Sequence, residues 1–462
     1  MKNRPIVGEY KVPDVLSDKK GPFRLYSDSD KFPIWPYDPT DAWIRINPRH
    51  YSWFTAIRSR SPVCDKNVSL AAMNNLIVLC ENYFESLKYE KNHDKNFVFE
   101  IIALISGLPV KLKTNSPHLY NFWHLNWYLG DFMEAEKRLG SSLITIRAAF
   151  GIKDENGDLL PIGAYFCPEN RQIVFINTDY YGQCKSWALG AAGVGLSDFR
   201  IHSVHGACVE IDGVGILIIA PTGTGKSTYT NQLATYGFIN SDDWVYIKEE
   251  NGEFFAYPSE RNIYVRSNAV QDDPLKGHSR EAVMANPVMR RQFEIFEKSP
   301  AENVPIVNGM RIYERIANSR AMINPALLTP LAFKTPIKLV VLLRRDSVSP
   351  YKEELNVDDA IKVLSKGEYM IGPGVTDDQS KWNTLACESW YNPYLLAPNN
   401  QFETERFRAL AEKGKARYVI FNTAGIYADK QLSDGSPDLE DLIKATTKEM
   451  LKYVSLFTKK NY

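Results

Sequence analysis

The chain is 462 residues long, 44% hydrophobic and 24% charged, which suits about two to four globular domains and excludes wholesale disorder. Its 55 Lys and Arg balance its 55 Asp and Glu, so no net field exists to hold a nucleic acid or an anionic bilayer through bulk charge. Cys64, Cys80, Cys167, Cys184, Cys208 and Cys387 form no C-x-x-C pair and no disulfide-like spacing, so a reduced, cytoplasmic protein is expected. The N-terminus, Met1-Lys2-Asn3-Arg4-Pro5, has no apolar stretch behind it, and the longest apolar runs, such as 213–220 and 339–343, are strand-sized. Neither a signal peptide nor a membrane span is expected.

The first forty residues, rich in Pro, Asp, Lys and aromatics, read as an extended arm. Residues 69–87 carry apolar positions at helical spacing, and a second helical stretch is expected over 97–108. Residues 141–181 alternate β-branched runs with turn signals at Glu155-Asn156-Gly157 and Pro168-Glu169-Asn170, a pattern for strands. From His202 the expected order is a strand over 207–211, a turn at Asp212-Gly213, a strand over 215–219, a glycine loop, a helix over 227–236 and a strand ending at Asp242-Asp243. Strands over 337–343 and 416–421 and a closing helix over 438–456 follow. The mixture predicts an α/β (α+β) protein with mixed sheets. An N-terminal α/β domain over 1–195 is expected on the acceptor side, and a nucleotide-binding domain over 196–462.

The strongest chemical signal is GILIIAPTGTGKSTYTNQL: an apolar strand, a glycine-rich loop, Lys226-Ser227, then a helix. Gly223 and Gly225 allow backbone N–H groups to turn inward around phosphate oxygens, and the helix N-terminus adds partial positive charge. Thr222, Gly223, Thr224, Gly225, Lys226, Ser227 and Thr228 are the expected nucleotide contacts. Lys226 reaches the β- and γ-phosphates and Ser227 holds Mg²⁺. Ala220 stands where the usual pattern has its first glycine. Downstream, INSDDWVYI places an acidic pair after an apolar run, with Asp243 as the metal-side residue and Asp242 as the candidate base. The alternative for this pair is a turn that caps a strand.

SVHGACVEIDGVGILIIAPTGTGKST followed by GFINSDDWVYI resembles the P-loop superfamily of HPr kinase/phosphorylase and ATP-dependent phosphoenolpyruvate carboxykinase. Further segments are similar to carboxykinase ones: NTDYYGQCKSWAL, SERNIYVRSN, ANSRAMINPALL, RYVIFNTAG and RSRSPVCDK. The resemblance implies a carboxykinase-like P-loop domain, ATP, and a divalent metal, Mg²⁺ or Mn²⁺, held by Asp243 and His205. It also implies Arg320 bridging the transferred phosphoryl group, and Tyr180 and Arg60 on the acceptor side.

Departures accompany it. The carboxykinase pair of lysines falls on Lys185 and Ser186, and a one-residue slip still brings Lys185 to the metal. A phosphoryl-neutralising lysine falls on Tyr257, and an arginine near the nucleotide base falls on Gln431. Losing cations around a very anionic transition state argues for a less charged acceptor. The expected activity is therefore transfer of the γ-phosphate to a hydroxyl of a small molecule or a protein. The alternatives are a carboxykinase converting oxaloacetate to phosphoenolpyruvate, and an ATP-binding regulator without turnover.

The short basic stretches MRRQFEIF and Arg344-Arg345 are bordered by acids and read as solvated faces. Cys184 and Cys208 read as buried small hydrophobes. The glycine-rich stretch LSKGEYMIGPGVTDD is similar to the carboxykinase lid, with a surface loop as the alternative.

Overall fold

The computed structural model describes residues 66–89, 98–116, 126–129, 143–178, 181–260, 263–266, 320–323, 334–372, 379–396 and 399–458, together with 119, 120, 123, 460 and 462. The arm expected over the first forty residues lies outside the described residues, as does part of the lid-like stretch. The protein is mixed α/β, built on two large mixed sheets. Strands β1 (Lys66–Asn67), β2 (Phe99–Ile105), β3 (Leu108–Thr114), β4 (Tyr128–Leu129), β5 (Ile144–Ala149), β6 (Gly163–Cys167) and β7 (Gln172–Ile176) form the first, in the order β1-β6-β7-β5-β3-β2-β4. Helix α1 (Leu70–Tyr89) covers one face of it. Met73, Cys80, Phe84 and Leu87 repeat along one side of α1 and pack on Ala149, Cys167, Val174 and Ile176.

The helix expected over 97–108 is a strand and the start of its hairpin partner. β2 and β3 pair antiparallel around a two-residue turn, Ser106-Gly107, with φ of 46° and 85°. Two successive positive φ values match the right-handed twist of the flanking strands, and Ser-Gly supplies them. The run FEIIALI buries its last four residues in succession. A buried strand of this kind cannot be told from a buried helix by periodicity.

Helix α2 (Tyr181–Ser197) lies between the two sheets, and the boundary expected at 195–196 falls within it. Trp187, Ala188, Leu189, Ala191 and Ala192 share one core with Val110, Ile144 and Phe175 of the first sheet and with Trp244, Tyr246 and Tyr257 of the second. Such a helix must be apolar all round, and WALGAAGVGL is.

The second sheet comprises β8 (His202–Ile211), β9 (Val214–Ile219), β10 (Phe238–Ser241), β11 (Trp244–Glu250), β12 (Glu253–Pro258), β15 (Thr335–Arg344), β16 (Lys352–Leu355) and β19 (Arg417–Asn422). β9, β15 and β19 run parallel as neighbours, with β15 in the middle. The pairings β8-β11-β12-β15-β9-β8 close into a ring. Alternate residues of the parallel strands face opposite cores. Ile216, Ile218, Val341 and Val419 meet helices α3 (Lys226–Leu233) and α6 (Leu439–Thr458), whereas Leu217, Ile219, Val340 and Leu342 meet α4 (Val357–Lys366) and α5 (Asn400–Glu412). With both faces covered, these strands read as unbroken apolar runs. Among the described residues no helix is long and apolar enough to cross a membrane.

α2 is held tightly enough that one methyl group is felt. A Cβ added at Gly190 would sit 2.4 Å from the Tyr394 carbonyl oxygen and 2.8 Å from Leu396 Cγ. Gly190→Ala should therefore destabilise the protein by about 1–3 kcal/mol, read as a lower midpoint in urea denaturation. An unchanged midpoint would mean that the loop carrying Tyr394 is not anchored on α2.

Candidate functional site

The glycine loop leaves the end of β9 and enters α3, at the carboxyl ends of the three parallel strands, where α/β sheets place their ligand crevices. Gly223 and Gly225 have φ of 87° and 105°, the left-handed region that a side chain strains. Gly225 caps α3 without any side-chain hydrogen bond, which leaves the first backbone N–H groups of the helix turned to the loop. Ala220 is fully buried in the core with Tyr229 and Leu343, so the methyl group that replaces the usual glycine hydrogen packs away from the loop.

The loop's hydroxyls divide by role. Thr222 and Ser227 are exposed and Thr228 is half-buried. Thr224 is buried, and its hydroxyl donates to the Pro221 carbonyl at 2.8 Å. Of the seven expected nucleotide contacts, Thr224 thus spends its side chain on the shape of the loop. Its own carbonyl accepts from Thr423 Oγ1 at 2.8 Å, which fastens the loop to the end of β19.

Lys226 opens α3 and turns toward β8 and β11. Its Nζ donates to Asp243 Oδ1 at 2.7 Å and lies 3.1 Å from His205 Nε2. His205 Nε2 is 3.2 Å from the same Asp243 oxygen, and its Nδ1 meets the Tyr391 carbonyl at 2.9 Å. A carbonyl only accepts, so Nδ1 carries the proton and the Nε2 lone pair faces the ammonium. On the other side of the carboxylate, Lys185 Nζ of α2 stands 3.3 Å from Asp243 Oδ2 and 3.2 Å from Glu260. Asn126 Nδ2 donates to Glu260 at 2.8 Å.

Two ammonium groups thus converge on two carboxylates. Burial alone raises the Asp243 carboxyl, but the charges of Lys226 and Lys185 outweigh it and hold it well below the usual carboxylate range. Glu260 moves the opposite way. Burial raises it, Lys185 pulls it back, the Asp243 charge raises it again, and the result is upward. Asp243 is in consequence a fixed negative charge and a poor base, whereas Glu260 holds its proton more firmly.

Strand register explains the placement. β10 and β11 both pair antiparallel with β8, and Asp242-Asp243 is the break between them, opposite Ala207 and Gly206. The acidic pair is thus neighbour to β8, which itself neighbours β9, and His205 is the β8 residue beside the break. Asp242 is half-buried next to this cluster. Arg320 pairs by its backbone with Arg266 between β14 (Arg320–Ile323) and β13 (Ile263–Arg266), outside both large sheets, and its side chain lies outside the described residues, as do Arg60 and Tyr180.

Glu260 and Asn126 are not singled out by the sequence, although SERNIYVRSN, which begins one residue before Glu260, carries part of the resemblance. The departures have local explanations. Ser186 Oγ donates to the Gly182 carbonyl of its own helix at 2.8 Å, and Tyr257 Oη donates to Glu250 Oε1 at 2.5 Å. Gln431 forms a bridge with Pro437. The thiols of Cys184 and Cys208 are buried and pushed upward by burial, as suits packed hydrophobes.

No protein-family model and no curated protein matches the chain.

Among the described residues no group of three or more His, Cys, Asp or Glu side chains is arranged to hold a metal. Mg²⁺ does not need one, since carboxylate, hydroxyl, phosphate and water oxygens commonly share it. Asp243 and the exposed Ser227 hydroxyl suit that role, and His205 Nε2 suits a softer ion such as Mn²⁺. The Lys226 ammonium lies against both His205 Nε2 and Asp243 Oδ1, so it would have to move for an ion to reach them.

Asp243→Asn removes a carboxyl held below its unfolded value near 3.9. The stability that carboxyl supplies is complete above about pH 4 and is lost as the pH falls through its lower folded value. Urea denaturation should show a wide gap between wild type and Asp243→Asn at about pH 7 that narrows below about pH 4. Glu260, shifted upward, costs stability on ionising, so Glu260→Gln should destabilise less than Asp243→Asn at neutral pH. The reverse order would contradict the assignment of charge.

Proposed function

We propose that the protein is an ATP- and Mg²⁺-dependent phosphotransferase with a carboxykinase-like P-loop domain, acting on a hydroxyl of a small molecule or a protein. The observation that carries this reading is Lys226. It stands at the first turn of a helix behind two left-handed glycines and reaches Asp243, at the break before β11, and His205 of β8, the antiparallel neighbour of β9.

The residues divide the work. Backbone N–H groups of 222–228 cradle the phosphate chain, and Lys226 exchanges Asp243 for the β- and γ-phosphates. Asp243 and Ser227 would hold Mg²⁺, which would supply charge neutralisation on the transferring group. Asp242 takes the proton of the acceptor hydroxyl as its oxygen bonds to the γ-phosphorus and ADP leaves. Asp243 is poorly suited to that duty, because Lys226 and Lys185 hold its carboxyl well below the usual range and make it a weak base. Arg320 is assigned to the transferring phosphoryl group, and Arg60 and Tyr180 to the acceptor, on the strength of the resemblance. The balanced charge supports a partner list without nucleic acid or membrane.

A second reading, ATP-dependent phosphoenolpyruvate carboxykinase, is favoured by Lys185. Its contact with Asp243 is the one that the one-residue slip requires. Against it stands Tyr257, whose hydroxyl is committed to Glu250 where the carboxykinase has a lysine.

Turnover of the purified chain with ATP, Mg²⁺ and Mn²⁺, with and without oxaloacetate, separates these readings. ATP consumption that rises with hydroxyl acceptors and falls at least about 100-fold in Lys226→Ala is the expected result. Oxaloacetate-dependent phosphoenolpyruvate formation would replace the first reading with the second. ATP binding without turnover, unaffected by Asp242→Asn, would leave a regulator.

A further inference from the structure

The loop has a second flank that the ion cluster does not use. β9 lies between β8, which carries His205, and β15, which ends at Arg344. Leu342 pairs with Ile219, so residues 344 and 345 leave β15 alongside the first residues of the glycine loop. The two arginines there turn to different partners. Arg344 meets Glu353 at 3.3 Å and the Pro350 carbonyl at 3.2 Å, and is neutralised. Arg345 donates through Nε to Thr423 Oγ1 at 3.3 Å, and that same hydroxyl is the one bonded to the Thr224 carbonyl in the loop.

Among the described residues no carboxylate pairs with Arg345, and the side chain is exposed. With Nε fixed on Thr423, the terminal nitrogens of the guanidinium remain for another acceptor. An unneutralised, oriented fork of donors one hydroxyl away from a phosphate-shaped loop is suited to a phosphate oxygen. The solvated face read from the sequence thus holds for the exposed Arg345, while Arg344 is half-buried and paired with Glu353.

We propose that Arg345 binds the α-phosphate of the nucleotide, on the flank of the loop opposite Lys226, Asp243 and His205. The proposal rests on the nucleotide reading given above. A triphosphate lying across the loop has its transferred end at the ion cluster on the β8 side and its ester end on the β15 side, where Arg345 stands. Thr423 couples the two, because it accepts from Arg345 while donating to the loop backbone.

The test is calorimetric binding of ATP, ADP and inorganic tripolyphosphate to the wild type and to Arg345→Ala, Arg345→Lys, Arg344→Ala and Lys226→Ala. A charge-assisted contact predicts about 10- to 100-fold weaker binding of all three by Arg345→Ala. Arg345→Lys should recover part of it, and Arg344→Ala should bind as the wild type does. The melting temperature of unliganded Arg345→Ala should match the wild type, since one long hydrogen bond is all that the fold loses.

Three outcomes would overturn the proposal alone: ATP binding that depends on Lys226 but is unchanged in Arg345→Ala, an equal loss in Arg344→Ala, or a loss for ATP with tripolyphosphate unaffected. Failure of the wild type to bind ATP would instead overturn the nucleotide reading, and this proposal with it.

Discussion

One carboxylate, that of Asp243, gathers the site. It receives Lys226 from α3 and Lys185 from α2 and lies beside His205 of β8, so three elements from separate parts of the chain are fixed against a break between two strands. Taking ions out of water is costly unless each finds an opposite charge and hydrogen bonds. Here two lysines face two carboxylates, and Asn126 satisfies part of Glu260. Removing any one member leaves an uncompensated charge, which is why the cluster constrains sheet packing as well as chemistry.

The same arrangement sets a condition on ligand entry. Lys226 is already neutralised by Asp243, so on the nucleotide reading proposed above a phosphate chain would have to offer it a better anion. A triphosphate bearing several charges meets that condition, whereas a weakly charged molecule does not. Once Lys226 turns away, Asp243 is left with Lys185 and has room for a cation. On that reading, affinity for nucleotide and affinity for metal would be coupled through a single ammonium group.

The sequence made much of this legible where the chemistry is local. The conformation at Gly223 and Gly225 and the position of Lys226 at the start of α3 are legible through spacing, because left-handed turns before a helix call for glycine. Asp243 was legible as part of an acidic pair after an apolar run, His205 through the resemblance, and Lys185 through the resemblance only with a shift of one position. The hairpin over 99–114 was misread as helix because a strand buried along half its length carries no alternation; the informative signal was Ser106-Gly107. Glu260, Asn126 and Arg345 had no local signature. Their roles come from partners in other elements: Asn126 and Glu260 are 134 residues apart, and Arg345 reaches Thr423 across 78. Neighbouring arginines in one sequence context acquire different roles only when the strand end turns them to different surroundings.

The position of α2 bears on how the protein reaches its folded state. Its apolar residues are divided between two sheets, and Lys185 on that helix meets Asp243 and Glu260 of the second half. Most of these contacts join residues far apart in the chain, a topology that slows folding because loops must close before the contacts that reward closure can form. A nascent chain with only its first sheet formed leaves half of α2 uncovered, which is a hazard for aggregation until the second sheet is made. The glycine loop also depends on distant partners, since β9 pairs with β15 and the Thr224 carbonyl is held by Thr423. The pairing of Lys185 with Asp243 is therefore a late event, made only when α2 is clasped from both sides.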